Sequence, residues 1–269
     1  MSRNQPLRSL TITRHHGAAV ETREDAVAVE EPLEIRVGGR SVAVVMRTPG
    51  HDRELAAGFL VTEGIVRRHE EVLDMVYCRS DGRPPEENIL DVLLAPGAAV
   101  DWARLTRHVF TSSSCGICSK ASIDAIRGNF PPLAGPVGPS RAVLAALPAQ
   151  LQVTQATFAA TGGLHASALF ELDGRLVVAR EDVGRHNALD KVIGHAFFAE
   201  RLPLTERILL VSGRVSFEIT QKALAAGIGC VAAISAPTSA AVEFAAASGQ
   251  TLVGFLRGGR MNVYAGAVD

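Results

Sequence analysis

Cys115-Gly116-Ile117-Cys118 sets two thiols three positions apart, between the run Thr111-Ser112-Ser113-Ser114 and a stretch patterned as a helix over 118–127. Backbone N–H groups at a helix start have no partner within the helix, and the macrodipole adds positive potential there. A thiol so placed is drawn towards thiolate, the nucleophilic form of cysteine. Lowering its pKa by about two units takes roughly 2.7 kcal/mol of preferential thiolate stabilisation. The helix end and Lys120 supply part of that. A reactive, nucleophilic thiol is expected here rather than an inert one. For Cys118 three roles stay open: forming a disulfide with the first thiol, tuning it, or no direct part.

A second set of chemically capable residues lies further on. Glu181-Asp182-Val183-Gly184-Arg185-His186-Asn187, Ser212-Gly213-Arg214-Val215-Ser216 and Phe255-Leu256-Arg257-Gly258-Gly259-Arg260 each follow or close an apolar, strand-like run. Parallel strands bring such turns to one edge of a sheet, outside the carboxyl ends, where open α/β sheets bind ligands. Glycine permits close backbone approach, while helix starts and arginine forks suit phosphate. We therefore expect a cleft for an anionic, nucleotide-like ligand, with Asp182, His186 and Asn187 available to hydrogen-bond a base or pterin. Several neighbours have plainer readings. Asp182 also fits as a helix cap, and Glu181 and Lys191 as surface charges. His165 fits as a satisfied strand histidine, and Cys78 and Cys230, each alone in an apolar run, as core residues.

The elements that would position these groups follow from periodicity. Residues 1–31 are polar and weakly patterned, a tail or an edge strand. Strands are expected over 33–37 and 42–46, joined at Gly38-Gly39 as a hairpin turn. Asp52 is placed as the N-cap of a helix over 53–66, with Leu55, Phe59 and Leu60 facing a core. Strands at 72–78 and 89–94 complete a small ββαββ unit, giving an α+β domain over 1–100 with its border near 96–102. The second domain, 101–269, begins with the CxxC loop and a Pro/Gly connector over 128–138. A helix over 140–159 follows, kinked at Pro148. Then come strands at 165–171 and 176–180, a helix over 185–200, and strands 207–211, 230–234 and 251–256 alternating with helices 217–226 and 239–247. Apolar strands alternating with helices predict a mostly parallel sheet covered on both faces, with the leading hairpin as an antiparallel edge.

Composition narrows the function classes. The 269 residues carry a net charge of −1, which gives no whole-molecule attraction to nucleic acid or anionic membrane. No apolar run approaches the roughly 20 residues of a membrane span, and the N-terminus has no apolar core of a secretory signal. Four cysteines with one close pair do not form a disulfide framework. A cytoplasmic protein with reduced thiols is expected.

The strings CGIC, REDVGRHNALDK, VSGRVSFEITQKA and GFLRGGRMNVY, in this order, closely resemble the FdhD family from about Glu31 to the end. That resemblance implies a cytidine-deaminase-like three-layer α/β/α domain beside the small α+β domain, and a homodimer. It implies a sulfurtransferase, or sulfur carrier, required for active formate dehydrogenase. A cysteine desulfurase would load sulfur onto Cys115 as a persulfide, with Cys118 as its CxxC partner. The sulfur would pass to the bis-molybdopterin guanine dinucleotide form of the molybdenum cofactor, on its way to the formate dehydrogenase catalytic subunit. The family's cofactor-binding stretch corresponds to residues 255–260, and we join to it Arg185, His186, Asn187, Ser212, Gly213 and Arg214.

Three other functions compete. A zinc deaminase needs H-x-E followed later by P-C-x-x-C. Here Ser167 stands where the glutamate is required and the CxxC comes earlier, so no catalytic zinc is expected. A thiol–disulfide oxidoreductase would use the CxxC but leave the cleft without a role. A cofactor chaperone would use the arginines but not the cysteines.

Overall fold

The computed structural model describes residues 5–78, 88–97, 102, 130–135 and 138–269. The CxxC pair and the expected helix over 118–127 lie outside them, as do the loop over 80–87 and most of the domain border.

The polar N-terminal stretch forms a hairpin of its own. Strands β1 (Leu7–His16) and β2 (Ala19–Ala28) pair antiparallel as a separate two-stranded sheet. Most of their residues are exposed, so the alternation that would mark a half-buried strand is absent. Next come β3 (Glu31–Val37) and β4 (Arg40–Arg47), joined as expected through Gly38 and Gly39 at φ 55° and 79°. Positive φ at both positions is what a two-residue hairpin turn requires. Helix α1 (Asp52–Thr62), β5 (Val72–Tyr77) and β6 (Ile89–Leu94) complete this half, and its sheet has the order β4-β3-β6-β5. Asp52 does not cap α1. The N-cap is His51, in the left-handed region, and the Asp52 carboxylate turns inward to the Arg47 guanidinium at 2.9 Å. The helix also stops at Thr62 rather than 66, where Gly64 takes φ 72°.

In the second half, α2 (Arg141–Thr154) starts at Ser140, whose hydroxyl accepts the Val143 N–H. Pro148 lies within it without ending it. The break falls instead at Gln155 (φ −89°, ψ 61°), before α3 (Ala156–Thr161). The Glu181 carboxylate accepts the Thr157 and Phe158 N–H groups at 3.0 and 2.7 Å, so it caps α3 rather than serving as a free surface charge. Strands β7 (His165–Glu171) and β8 (Leu176–Asp182) precede α4 (Arg185–Phe198). Then β9 (Arg207–Val211), α5 (Phe217–Ala225), β10 (Cys230–Ala233), α6 (Ser239–Ala247) and β11 (Thr251–Arg257) alternate as expected. A further strand, β12 (Arg260–Ala265), was not expected from the sequence.

These strands form one sheet in the order β12-β11-β10-β9-β7-β8. Its three inner-to-outer strands β9, β10 and β11 are parallel, β7 and β12 run antiparallel to them, and β8 restores their direction. This is the three-layer α/β/α architecture, with the leading hairpin supplying an antiparallel edge. Side chains alternate between the two faces. Leu209, Val211, Val231 and Leu252 join one core with α1, α4, α5 and the inner face of the four-stranded sheet. Ile208, Leu210, Ala232 and Val253 join a second core under α2.

Helices α1 and α4 touch backbone to backbone. A Cβ at Gly58 would fall 1.8 Å from the Asp190 carbonyl oxygen, and one at Gly194 would fall 1.8 Å from that of Glu54. This contact anchors α4, whose first turn carries part of the expected site. Cys230 is buried, and burial pushes its thiol up to about 12. Cys78 is half-buried at the end of β5 rather than in the core.

Candidate functional site

Because β8, β9, β10 and β11 share one direction, their carboxyl ends meet at a single edge of the sheet. His165, the first residue of the antiparallel β7, pairs with Asp182 at that same edge. The turns carrying Arg185, His186, Asn187, Ser212, Gly213, Arg214 and residues 257–260 therefore lie along one line, as the alternation of strands and helices implied.

The turn after β8 is held from beneath by Asp182, which is fully buried. Its carboxylate receives the Lys191 ammonium at 2.7 Å, the Thr48 N–H at 3.1 Å, the Gly184 N–H at 2.8 Å and the Asn187 amide at 2.9 Å. Lys191, also buried, donates to the Thr48 and Glu181 carbonyls. It is thus the buried partner of Asp182 and not the surface charge expected of it. Burial is compensated here because the charges are paired and their remaining hydrogen-bonding capacity is met. Asn187 also donates to the Met46 carbonyl at 2.7 Å, so its amide faces inward and fastens the first turn of α4 to the end of β4.

With the backbone so fixed, Arg185 and His186 project at the start of α4. The His186 Nε2 lies 2.9 Å from the Glu218 carboxylate at the start of α5, and hydrogen bonding to His186 holds that carboxyl below the usual range. The turn after β9 is clamped differently. Ser212 donates its N–H to the Ala166 carbonyl and accepts the Ala166 N–H on its hydroxyl, each at 2.9 Å. Gly213 then passes over the His165 ring, where a Cβ would stand 3.2 Å from Nδ1. Arg214 is exposed beside it.

Burial, and then the charges of Arg185, Arg214 and His186, hold the His165 imidazole below its ordinary pKa, with Asp182 opposing them. The Arg185 Nε is buried and has no hydrogen-bond partner among the described residues. The result is a cationic recess built from three turns, with donors left to spend on an anion.

Residues 255–260 form a different part of the edge. Phe255 adopts φ 54°, and its N–H donates to the Ser235 carbonyl at 3.0 Å. A non-glycine residue in the left-handed region costs roughly 1–2 kcal/mol, and here it accompanies an irregularity in the β11–β12 pairing. Leu256 is buried in the core under α2. Gly258 and Gly259, at φ 58° and 72°, form a tight turn, and Arg257 and Arg260 flank it, exposed. The β9 and β11 ends are two strands apart and the β8 and β11 ends four, about 10 and 19 Å at the usual strand spacing. The expected ligand groups thus divide into a recess around His165 and a hairpin tip at 257–260. Cys115 and Cys118 lie outside the described residues.

His165 and Glu218 belong to this geometry but were not expected in it. The signal for His165 was Gly213, a glycine whose lack of a side chain is used by the imidazole beneath it. A separate cavity of about 460 Å³, lined by His51, Asp52, Arg53, Glu54, Tyr77 and Phe198, shares none of these residues. Among the described residues, no helix is long and apolar enough to cross a membrane.

Fold and site together define an α/β protein with a cationic recess at the carboxyl edge of its larger sheet. The profile of the FdhD/NarQ family matches residues 28–268, and the chain belongs to that family. It is 52% identical over 262 residues to the sulfur carrier protein FdhD of Streptomyces coelicolor, a match covering 95% of this chain and 93% of that protein. The protein of the same name from Mycobacterium tuberculosis is 54% identical over 259 residues, covering 93% and 94%. A crystal structure of a protein from Desulfotalea psychrophila has the same fold, with a TM-score of 0.76 over 97% of both chains at 23% identity.

Proposed function

We propose that this protein is a sulfur carrier for the maturation of formate dehydrogenase, working as a sulfurtransferase with a persulfide on Cys115. The observation that carries this reading is identity at more than half of the aligned residues with proteins named sulfur carrier protein FdhD, over nearly the whole chain. A cysteine desulfurase is the donor. The Cys115 thiolate attacks the terminal sulfur of the donor's persulfide, a new S–S bond forms, and the donor cysteine leaves as thiolate. The proton stays on the transferred sulfur, and no external oxidant or reductant is needed. If Cys118 then attacks the Cys115 sulfur, a Cys115–Cys118 disulfide forms and hydrosulfide leaves, so the pair supplies the two electrons that release sulfur as sulfide.

The substrate that receives the sulfur is the molybdenum cofactor in its bis-molybdopterin guanine dinucleotide form, destined for the formate dehydrogenase catalytic subunit. Arg185, Arg214 and the free donors around them suit its phosphates, and Arg257 and Arg260 at the hairpin tip suit a second anionic group or a guanine. Asn187, Ser212 and Gly213 set the shape of the recess. The working assembly is a homodimer in the cytoplasm. Formate dehydrogenase activity in cells lacking their own carrier tests the reading. Wild type is expected to restore it and Cys115→Ala to fail. Activity restored by Cys115→Ala would instead point to a chaperone that binds the cofactor without moving sulfur.

A further inference from the structure

His165 is the first residue of β7, and its side chain lies on the same sheet face as Leu169, towards α4 and α5. The ring is half-buried, yet neither nitrogen has a hydrogen-bond partner among the described residues. Gly213 of the β9 turn lies over the ring with its Cβ position 3.2 Å from Nδ1. From α4 come Arg185 and His186, from the β9 turn Arg214, and from β8 Asp182. The only acid among these, Asp182, is spent on Lys191, Thr48, Gly184 and Asn187. His186 is engaged by Glu218 of α5. The imidazole therefore faces a recess that holds the charges of two arginines, of which Arg185 also acts on Glu218 and keeps a buried Nε without a hydrogen-bond partner among the described residues.

An apolar ring, or an imidazole hydrogen-bonded to the protein, would explain the packing equally well. An imidazole whose nitrogens have no partner among the described residues, within reach of the charges of two arginines, is explained by a ligand. We propose that His165 directly contacts the anionic group bound in this recess, donating a hydrogen bond to a phosphoryl oxygen and taking up a proton as that group binds. The inference rests on the reading of the recess as the cofactor's phosphate site and adds a residue and a proton linkage to it. The sense of the linkage is fixed by electrostatics. In the empty recess burial and the neighbouring cations keep the ring neutral near pH 7. A bound dianion reverses the local potential and favours the imidazolium, which donates from both nitrogens. Affinity should then rise as pH falls from about 8 towards 6.5, the range over which histidine titrates.

GDP is the probe, measured by calorimetry at about pH 8 and about pH 6.5 in buffers of differing ionisation enthalpy, for wild type and His165→Gln. The GDP terminal phosphate titrates nearby, so the readout is the difference between the two proteins. Wild type is expected to take up more protons per GDP bound than the variant. The variant should bind about tenfold more weakly at the lower pH, the worth of one hydrogen bond to a charged group. Equal proton counts and equal affinities would overturn the inference while leaving the recess as the anion site. Wild type that binds no GDP at either pH would overturn the reading of the recess and the inference with it. Should His165→Gln fail to fold, the wild-type imidazole signals decide by NMR. A histidine that titrates at higher pH with GDP than without it is required, and eight unshifted histidines would refute the proposal.

Discussion

At the scale of single residues, the recess depends on one buried ion pair. Asp182 and Lys191 have almost no exposed surface, and between them they bind the turn after β8, the first turn of α4 and the segment at Thr48. Removing one partner leaves an uncompensated buried charge. Lys191→Met should cost about 3–5 kcal/mol of stability in urea unfolding, and a loss under about 1 kcal/mol would contradict the role assigned to the pair. Arg214 is a contrasting case, since it is exposed and makes no hydrogen bond or ion pair among the described residues. Arg214→Ala should leave stability within about 0.5 kcal/mol but weaken GDP binding about tenfold or more. Unchanged GDP affinity would remove Arg214 from the site. The sequence made the arginines visible because they follow glycine at strand ends. It hid Lys191, whose partners include a carbonyl 143 positions away, and a charge paired across such a separation looks like any other helix charge. Asn187 was legible as a site residue, but the direction of its amide depends on Met46 of the other half.

At the scale of elements, α4 is fixed by α1 at two glycines and by one carboxylate. Gly58→Ala or Gly194→Ala would push a methyl group into a carbonyl oxygen of the facing helix. Each should destabilise by about 1–3 kcal/mol or more, measured as a fall in the unfolding midpoint. Glu54 on α1 receives a forked pair of bonds from Arg180 of β8 at 2.6 and 2.7 Å and approaches His195 of α4 at 3.0 Å. Burial alone would raise its pKa, but hydrogen bonds from His51, Arg180 and His195 and the charge of Arg180 hold it well below the carboxylate range. A carboxyl depressed on folding contributes stability above its unfolded pKa, near 4.3, and loses that contribution as pH falls below it. Glu54→Gln should therefore lower stability at neutral pH and flatten the acid limb below about pH 4.5. An acid limb as steep as that of wild type would refute this role.

The helix and strand pattern was largely legible because both periods are strong where one face is buried. The misplacements have local causes. Nothing in the spacing distinguished Pro148 from a kink, since the residues around it keep their apolar face and the break falls where Gln155 leaves the helical region. The polar strand β12 was overlooked because only Ala265 on it is buried. It follows that the 257–260 stretch, read as a turn after the last strand, is the tip of a hairpin.

At the scale of the whole molecule, the proposed work joins two places that are separate in the sequence, a thiol pair at 115–118 and an anion recess on the larger sheet. They are separable by experiment. A ligand that binds only the folded chain should raise its stability by RT ln(1 + [L]/Kd), about 2.7 kcal/mol at a hundredfold excess over Kd. GDP should do so equally for wild type and Cys115→Ser, and a variant-specific loss would mean that the thiol belongs to the recess. The central claim concerns sulfur itself. Intact mass after incubation with a cysteine desulfurase and free cysteine, for wild type and Cys115→Ser, tests it most directly. The expected result is a gain of about 32 Da, one sulfur atom, on wild type alone and reversible by a thiol reductant. No gain on wild type, or the same gain on both proteins, would contradict a persulfide carried on Cys115.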